Sequence, residues 1–151
     1  MKKFAFPLDR VLAWRRMQAR LEEMTLERLN AERRALESRA LSLQRELTGV
    51  VNGLLRGGRI TGTDLEALDR FRQSSAREVS RVEASMGDLD RKIAAQMEAV
   101  SGRRRDARLI ERLRDEKFSK WRAEFQKEID REAGEAHLAK HLSKQRSRPV
   151  L

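Results

Sequence analysis

Four short stretches of this chain hold residue types that do chemistry elsewhere. His137 and His141 stand four apart, so a helix would set both imidazoles on one face, as in a paired zinc ligand set. No third ligand accompanies them, and no glutamate stands between them in an H-E-x-x-H pattern, so the pair reads as a solvated helix end. The stretch NGLLRGGRITGT is glycine-rich but lacks the Gly-Lys-Ser/Thr ending of a phosphate loop and follows no strand. Its glycines read as a turn. Arg103, Arg104 and Arg105 carry enough charge to clamp phosphates, yet Asp106, Glu111, Asp115 and Glu116 follow at once, as on any solvated helix face. There is no cysteine, hence no thiol or disulfide chemistry, and no Ser-His-Asp arrangement suggests itself. The expectation is a chain with no catalytic residues, no metal, no cofactor and no nucleic-acid partner.

The fourth stretch, RRRDARLIERLRDEKFSKWRAEF, is of another kind. Phe118, Trp121 and Phe125 follow at spacings of three and four and share one helix face, in a chain where aromatics are only 5% of residues. Such a patch binds; it does not catalyse. Charged residues make up 38% of the chain, which suits long helices with a narrow apolar seam and leaves little core for a large ligand pocket. Of the formal net charge of +10, residues 1–60 carry 13 basic and 7 acidic side chains, residues 61–100 carry 6 and 8, and residues 101–151 carry 15 and 9. The basic excess therefore sits in the two terminal portions, where an acidic protein surface can use it. The opening MKKFAFPLDR has no apolar stretch behind its lysines, so no secretory signal is expected, and no apolar run approaches the roughly 20 residues of a transmembrane helix. A cytoplasmic location is the expectation.

The elements that position these residues follow from periodicity. Pro7 marks the start of helix one, since proline is tolerated in a first turn and rare further in. Leu8, Val11, Trp14, Met17, Leu21 and Met24 then form an apolar stripe. The stripe shifts register near residue 25 and resumes as Leu26, Leu29, Arg33, Leu36, Ala40, Leu43, Leu47, Val50 and Leu54. Turn formers pile up next, and Thr63-Asp64-Leu65-Glu66 matches a capping box. Helix two then holds a strict heptad from Leu65 to Ile110, with ten of fourteen positions apolar. Arg72, Ser75, Gln96 and Arg103 weaken that seam, and Gly87 and Gly102 are soft points.

The predicted fold is all-α: one coiled-coil domain over residues 1–151, a long antiparallel two-helix hairpin with helix one about 7–55, a turn at 56–63 and helix two about 64–145. Pairing Leu54 with Leu65 sets the register. At 1.5 Å per residue the helices would run to about 70 Å and about 120 Å, so helix two overhangs helix one and carries Phe118, Trp121 and Phe125 beyond it. Phe4 and Phe6 can run back, extended, beside Leu113 and Phe118, with Trp14 near position 105. That arm does not reach Phe125 and Ile129, which leaves the outer part for an external partner; a tryptophan flanked by arginine suits an interface hot spot.

The opening F-x-F-P-L-D-R-V-L-x-x-R (Phe4 to Arg15), the hairpin of about 150 residues, and the pattern E-R-L-R-x-x-K-x-x-x-W-x-x-E (Glu111 to Glu124) together resemble the FliJ family over nearly the whole chain. The family's usual acidic ending is interrupted here by Ala133-Gly134. The resemblance implies a non-enzymatic stalk component of the flagellar type III protein export apparatus. Its partners would be a hexameric export ATPase whose pore takes the terminal end of the hairpin, the cytoplasmic domain of the export gate, and export chaperones. It would be cytoplasmic, and peripheral at the inner membrane only through those partners. On that reading the ATPase-facing surface is Arg112, Lys117, Phe118, Trp121 and Phe125, supported by Trp14 and Phe4, and the turn end meets the export gate through Leu47, Val51, Leu68 and Phe71. The alternatives are the equivalent stalk of a virulence-type secretion system and a structural coiled-coil protein that dimerises through the overhang.

Overall fold

The computed structural model describes residues 3–146, and among them the chain is all-helical: α1 (Asp9–Arg56) and α2 (Gly62–Arg146), with no strand. α1 starts two residues after Pro7. The Asp9 amide donates to the Phe6 carbonyl at 3.2 Å, and the Asp9 carboxylate complements the positive end of the helix dipole. At the other end the Gly57 amide returns to the Gly53 carbonyl at 3.1 Å, and Gly58 takes φ +76°, a left-handed conformation that ends a helix and suits glycine.

The cap of α2 lies two residues earlier than the sequence pattern suggests. Thr61, not Thr63, is the capping residue, and its reciprocal partner is Asp64, not Glu66. The Thr61 amide donates to Asp64 Oδ2 at 2.9 Å, the Asp64 amide donates to Thr61 Oγ1 at 3.3 Å, and the two side chains meet at 2.6 Å. Both threonines fit the Ser/Thr rule; a box closed by Asp64 lets the helix begin one half-turn sooner. These bonds, the Thr61 hydroxyl first and its backbone second, hold the Asp64 carboxyl below the usual carboxylate range. A carboxyl depressed in the folded state stabilises it above the unfolded-state pKa, and that stabilisation is lost as pH falls through the folded value. Acid should therefore fray the first turn of α2. In an NMR titration the Asp64 midpoint should rise in a Thr61→Ala variant, and an unchanged midpoint would refute the cap.

The chain divides into two compact units. One comprises Met17–Arg104. Here α1 and α2 pack antiparallel, with Ala19 and Leu43 of α1 and Ser75, Val82, Leu89 and Val100 of α2 buried. Their spacing on α2 is the heptad read from the sequence, because a repeat close to 3.5 keeps one face against a partner helix in a coiled coil. Three of the polar seam positions, Arg33, Gln96 and Arg103, find partners across the helix pair. Arg33 binds Asp90 at 2.6 Å, Gln96 donates to the Glu22 carbonyl at 3.0 Å and to its carboxylate at 2.6 Å, and Arg103 reaches Gln18 at 3.5 Å and Glu22 at 4.0 Å. Arg33–Asp90, Gln96–Glu22 and Arg103–Gln18 lie within about one helical turn of the register set by Leu54 opposite Leu65, although Leu65 itself is exposed.

Helix one differs from expectation in its first half. The stripe Val11, Trp14, Met17, Leu21 and Met24 does not face α2: these residues are 40 to 59% exposed. The seam instead runs back from Leu26 without any change of register, through Glu22, Ala19, Arg15, Leu12 and Leu8. Near the turn, Val51 takes the half-buried place expected for Val50. The physical reason is that the polar members of the inward stripe find partners on α2, so the smaller apolar face wins over the bulkier one.

The other unit comprises residues up to Arg16 and from Arg105 onward. Phe6, Leu12 and Ala107 are its buried residues, at 4%, 2% and 6% exposure. Arg15 bonds Asp106 at 3.2 Å, Arg16 bonds Glu111 at 2.6 Å and Arg114 approaches Asp9 at 3.7 Å. Pairs so open to water contribute about 0–1 kcal/mol each, so the apolar contacts decide the packing and the charges fix its alignment.

Candidate interaction surface

The residues that draw attention here sit in the second unit, and the arm before α1 organises them. Proline disfavours helical geometry in the residue before it, so Phe6 stays extended and the chain from Phe4 runs as a strand-like arm. In an extended chain, residues two apart point the same way. Phe4 and Phe6 therefore both turn towards α2. Phe6 is buried, with the Lys117 ammonium 5.9 Å from its ring centroid. Phe4 meets Phe118 edge-on, at 5.1 Å and 75°, and lies 5.8 Å from Trp121. On α2, Phe118 stacks on Trp121 at 5.7 Å, and Trp121 stacks on Phe125 at 5.1 Å. Four rings thus form one continuous row, each contact contributing about 0.5–1.5 kcal/mol beyond area burial.

The row is only partly covered. Phe118 is 43% exposed, Trp121 and Phe125 are half-buried, and Ile129 beyond them is 38% exposed. Arg112 and Lys117 are exposed on the same stretch of α2, and every described side chain from 126 to 143 is exposed. The arm covers the inner rings, as expected, and stops short of Phe125 and Ile129. Trp14 does not join the row or pack near position 105. It is 53% exposed and lies under the Arg15 guanidinium, 4.9 Å from the ring centroid. A surface of stacked rings with cations beside them can bind a partner through apolar contact, cation–π attraction and charge.

The expected gate-facing residues Leu47, Val51, Leu68 and Phe71 are all half-buried in the first-described unit; Leu47, Val51 and Leu68 occupy seam positions and Phe71 stands beside the seam. Leu47 lines an open groove of about 420 Å³ together with Leu41, Leu43, Ser75 and Val79. His137 and His141 are exposed, and among the described residues no group of three or more His, Cys, Asp or Glu is placed to hold a metal. Among the described residues no helix is long and apolar enough to cross a membrane. The sequence reading missed that Met17, Leu21 and Met24 are surface. The signal that could have found them is the competing stripe Leu8, Leu12, Ala19, Leu26, which continues the later heptad unbroken. No family model, no curated protein and no solved structure matches the chain.

Proposed function

We propose that this chain is a non-enzymatic stalk component of a flagellar protein export apparatus, seated by its terminal unit in the pore of a hexameric export ATPase. The observation that carries the reading is the half-covered aromatic row Phe4–Phe118–Trp121–Phe125, which leads into a stretch of α2 with exposed side chains and bears Arg112 and Lys117. A slender helical end suits a ring pore, and basic side chains suit an acidic collar, with an association that weakens as salt rises. The mechanism is complementarity of shape and charge that favours the assembled ring; no bond is made or broken by this chain. On this reading the export gate's cytoplasmic domain meets the turn end near Leu47, Val51, Leu68 and Phe71, export chaperones are further partners, and the chain is cytoplasmic and peripheral at the inner membrane.

The test is hydrolysis by the export ATPase of the same organism as this protein is titrated in, comparing the natural chain with a Phe118→Ala/Trp121→Ala/Phe125→Ala variant of checked helicity. Saturable stimulation by the natural chain, reduced about ten-fold or more in the variant, supports the reading. No stimulation by the natural chain overturns it. Equal stimulation by both would retain the stalk and assign the rings to packing against the arm.

A further inference from the structure

We propose that two copies of this chain associate antiparallel through the outward face of α1 that carries Met17, Leu21 and Met24. These residues are 59%, 55% and 56% exposed, on one helix face at the four-then-three spacing of a coiled-coil seam, while Ala19 on the inward face is 7% exposed. A seam of this kind is made to receive a helix, and methionine adapts readily to a facing side chain.

The flanking charges identify that helix. Arg20 and Glu27 are seven apart, so they occupy the same edge of the stripe; both are exposed, and neither has an ion-pair partner among the described residues. A two-fold axis between Leu21 and Met24 sets Leu21 against Met24 of the second copy and brings Arg20 opposite Glu27 of the second copy. The same axis makes the reciprocal pair, so one surface is complementary to itself. The opposite edge carries Gln18 and Thr25, which are neutral and face each other under the same operation. The same axis sets Met17 against the stem of Arg28 of the second copy, an arginine whose head is held by Glu32 of its own helix at 3.8 Å. A parallel arrangement gives none of this: edge positions would then pair Glu27 with Glu32 of the second copy and Arg20 with Thr25, one repulsion and no attraction. A short stripe buries little area, so the association is weak, with a dissociation constant on the order of 100 μM.

The inference does not rest on the stalk reading, and its readout is mass, not hydrolysis. The experiment is analytical ultracentrifugation of the full chain from micromolar to millimolar concentration. A monomer–dimer equilibrium is expected. Leu21→Gln should weaken it about ten-fold, which is roughly the loss of one buried apolar contact. Arg20→Glu and Glu27→Arg should each weaken it, and the combined swap should restore it. All these positions are exposed, so the folded chain should survive, as circular dichroism will verify. A chain that stays monomeric throughout overturns the proposal. So does a dimer indifferent to Leu21→Gln, which would place self-association elsewhere, or a charge swap that fails to restore it.

Discussion

Leu12→Ala should cost about 2–4 kcal/mol in urea denaturation, whereas Leu21→Ala, nine residues further along the same helix, should change stability by no more than about 0.5 kcal/mol. The chemistry of the two substitutions is identical. Leu12 is 2% exposed and Leu21 is 55% exposed, so only the first leaves a void. Truncating a buried leucine loses the transfer energy of its methyl groups and the contacts of the cavity it leaves. Truncating an exposed one removes surface already in water and gains slightly in helix propensity. The pair is a direct measure of which α1 stripe faces inward. Equal losses, or a larger loss at Leu21, would reverse the assignment made here. Hydrogen exchange should localise the Leu12→Ala effect to the amides around Leu12 and Ala107.

Phe6→Ala should undock the arm. Truncation of a buried phenylalanine costs about 3 kcal/mol or more, which exceeds what the few remaining residues of an extended arm can hold. Phe6 is 4% exposed and lies beside Lys117, while Phe4, two residues away, is held by its contacts with Phe118 and Trp121. Loss of the Phe6 anchor should lift Phe4 with it. Trp121 would then be left with Phe118 and Phe125 and a wetter surrounding. In a Trp14→Phe background, where Trp121 is the sole tryptophan, its emission should move to the red and its quenching by iodide should increase. An unchanged spectrum would mean that the rings on α2 hold Trp121 by themselves and that the arm is incidental to them.

Much of the fold was legible in the sequence because α2 states its seam plainly. Val79, Val82, Met86, Leu89, Ile93 and Val100 repeat at the spacing a coiled-coil partner demands, and their burial follows that repeat. The turn was legible from its glycines, although the choice between Thr61 and Thr63 depended on which carboxylate closed the box. The first half of α1 was not legible from periodicity, because it offers two apolar faces. The bulkier face has Trp14, Met17, Leu21 and Met24; the other has Leu12 and Ala19 interleaved with Arg15 and Glu22. The choice between them is made by residues far away in sequence: Asp106 receives Arg15, and Gln96 donates to Glu22. Local spacing cannot report a partner that distant. Of the interaction surface, the arm against Phe118 was readable from Phe4, Phe6 and Pro7. The displacement of Trp14 was not, since it follows from the same choice of face.

The polar residues within the seam have a consequence for errors of assembly. Two helices joined by heptads can in principle slide past each other by seven residues and still oppose apolar side chains. Moving α2 one way would set Arg33 against Met97 in place of Asp90 and leave its guanidinium with only Glu37 of its own helix. Moving it the other way would set Glu22 against Leu89 in place of Gln96 and strand a carboxylate on a buried leucine. Each slip loses a different pair, one per direction. Arg33 and Gln96 thus act as opposed pawls of a ratchet, so that a misaligned hairpin is driven back to the single alignment in which both are engaged.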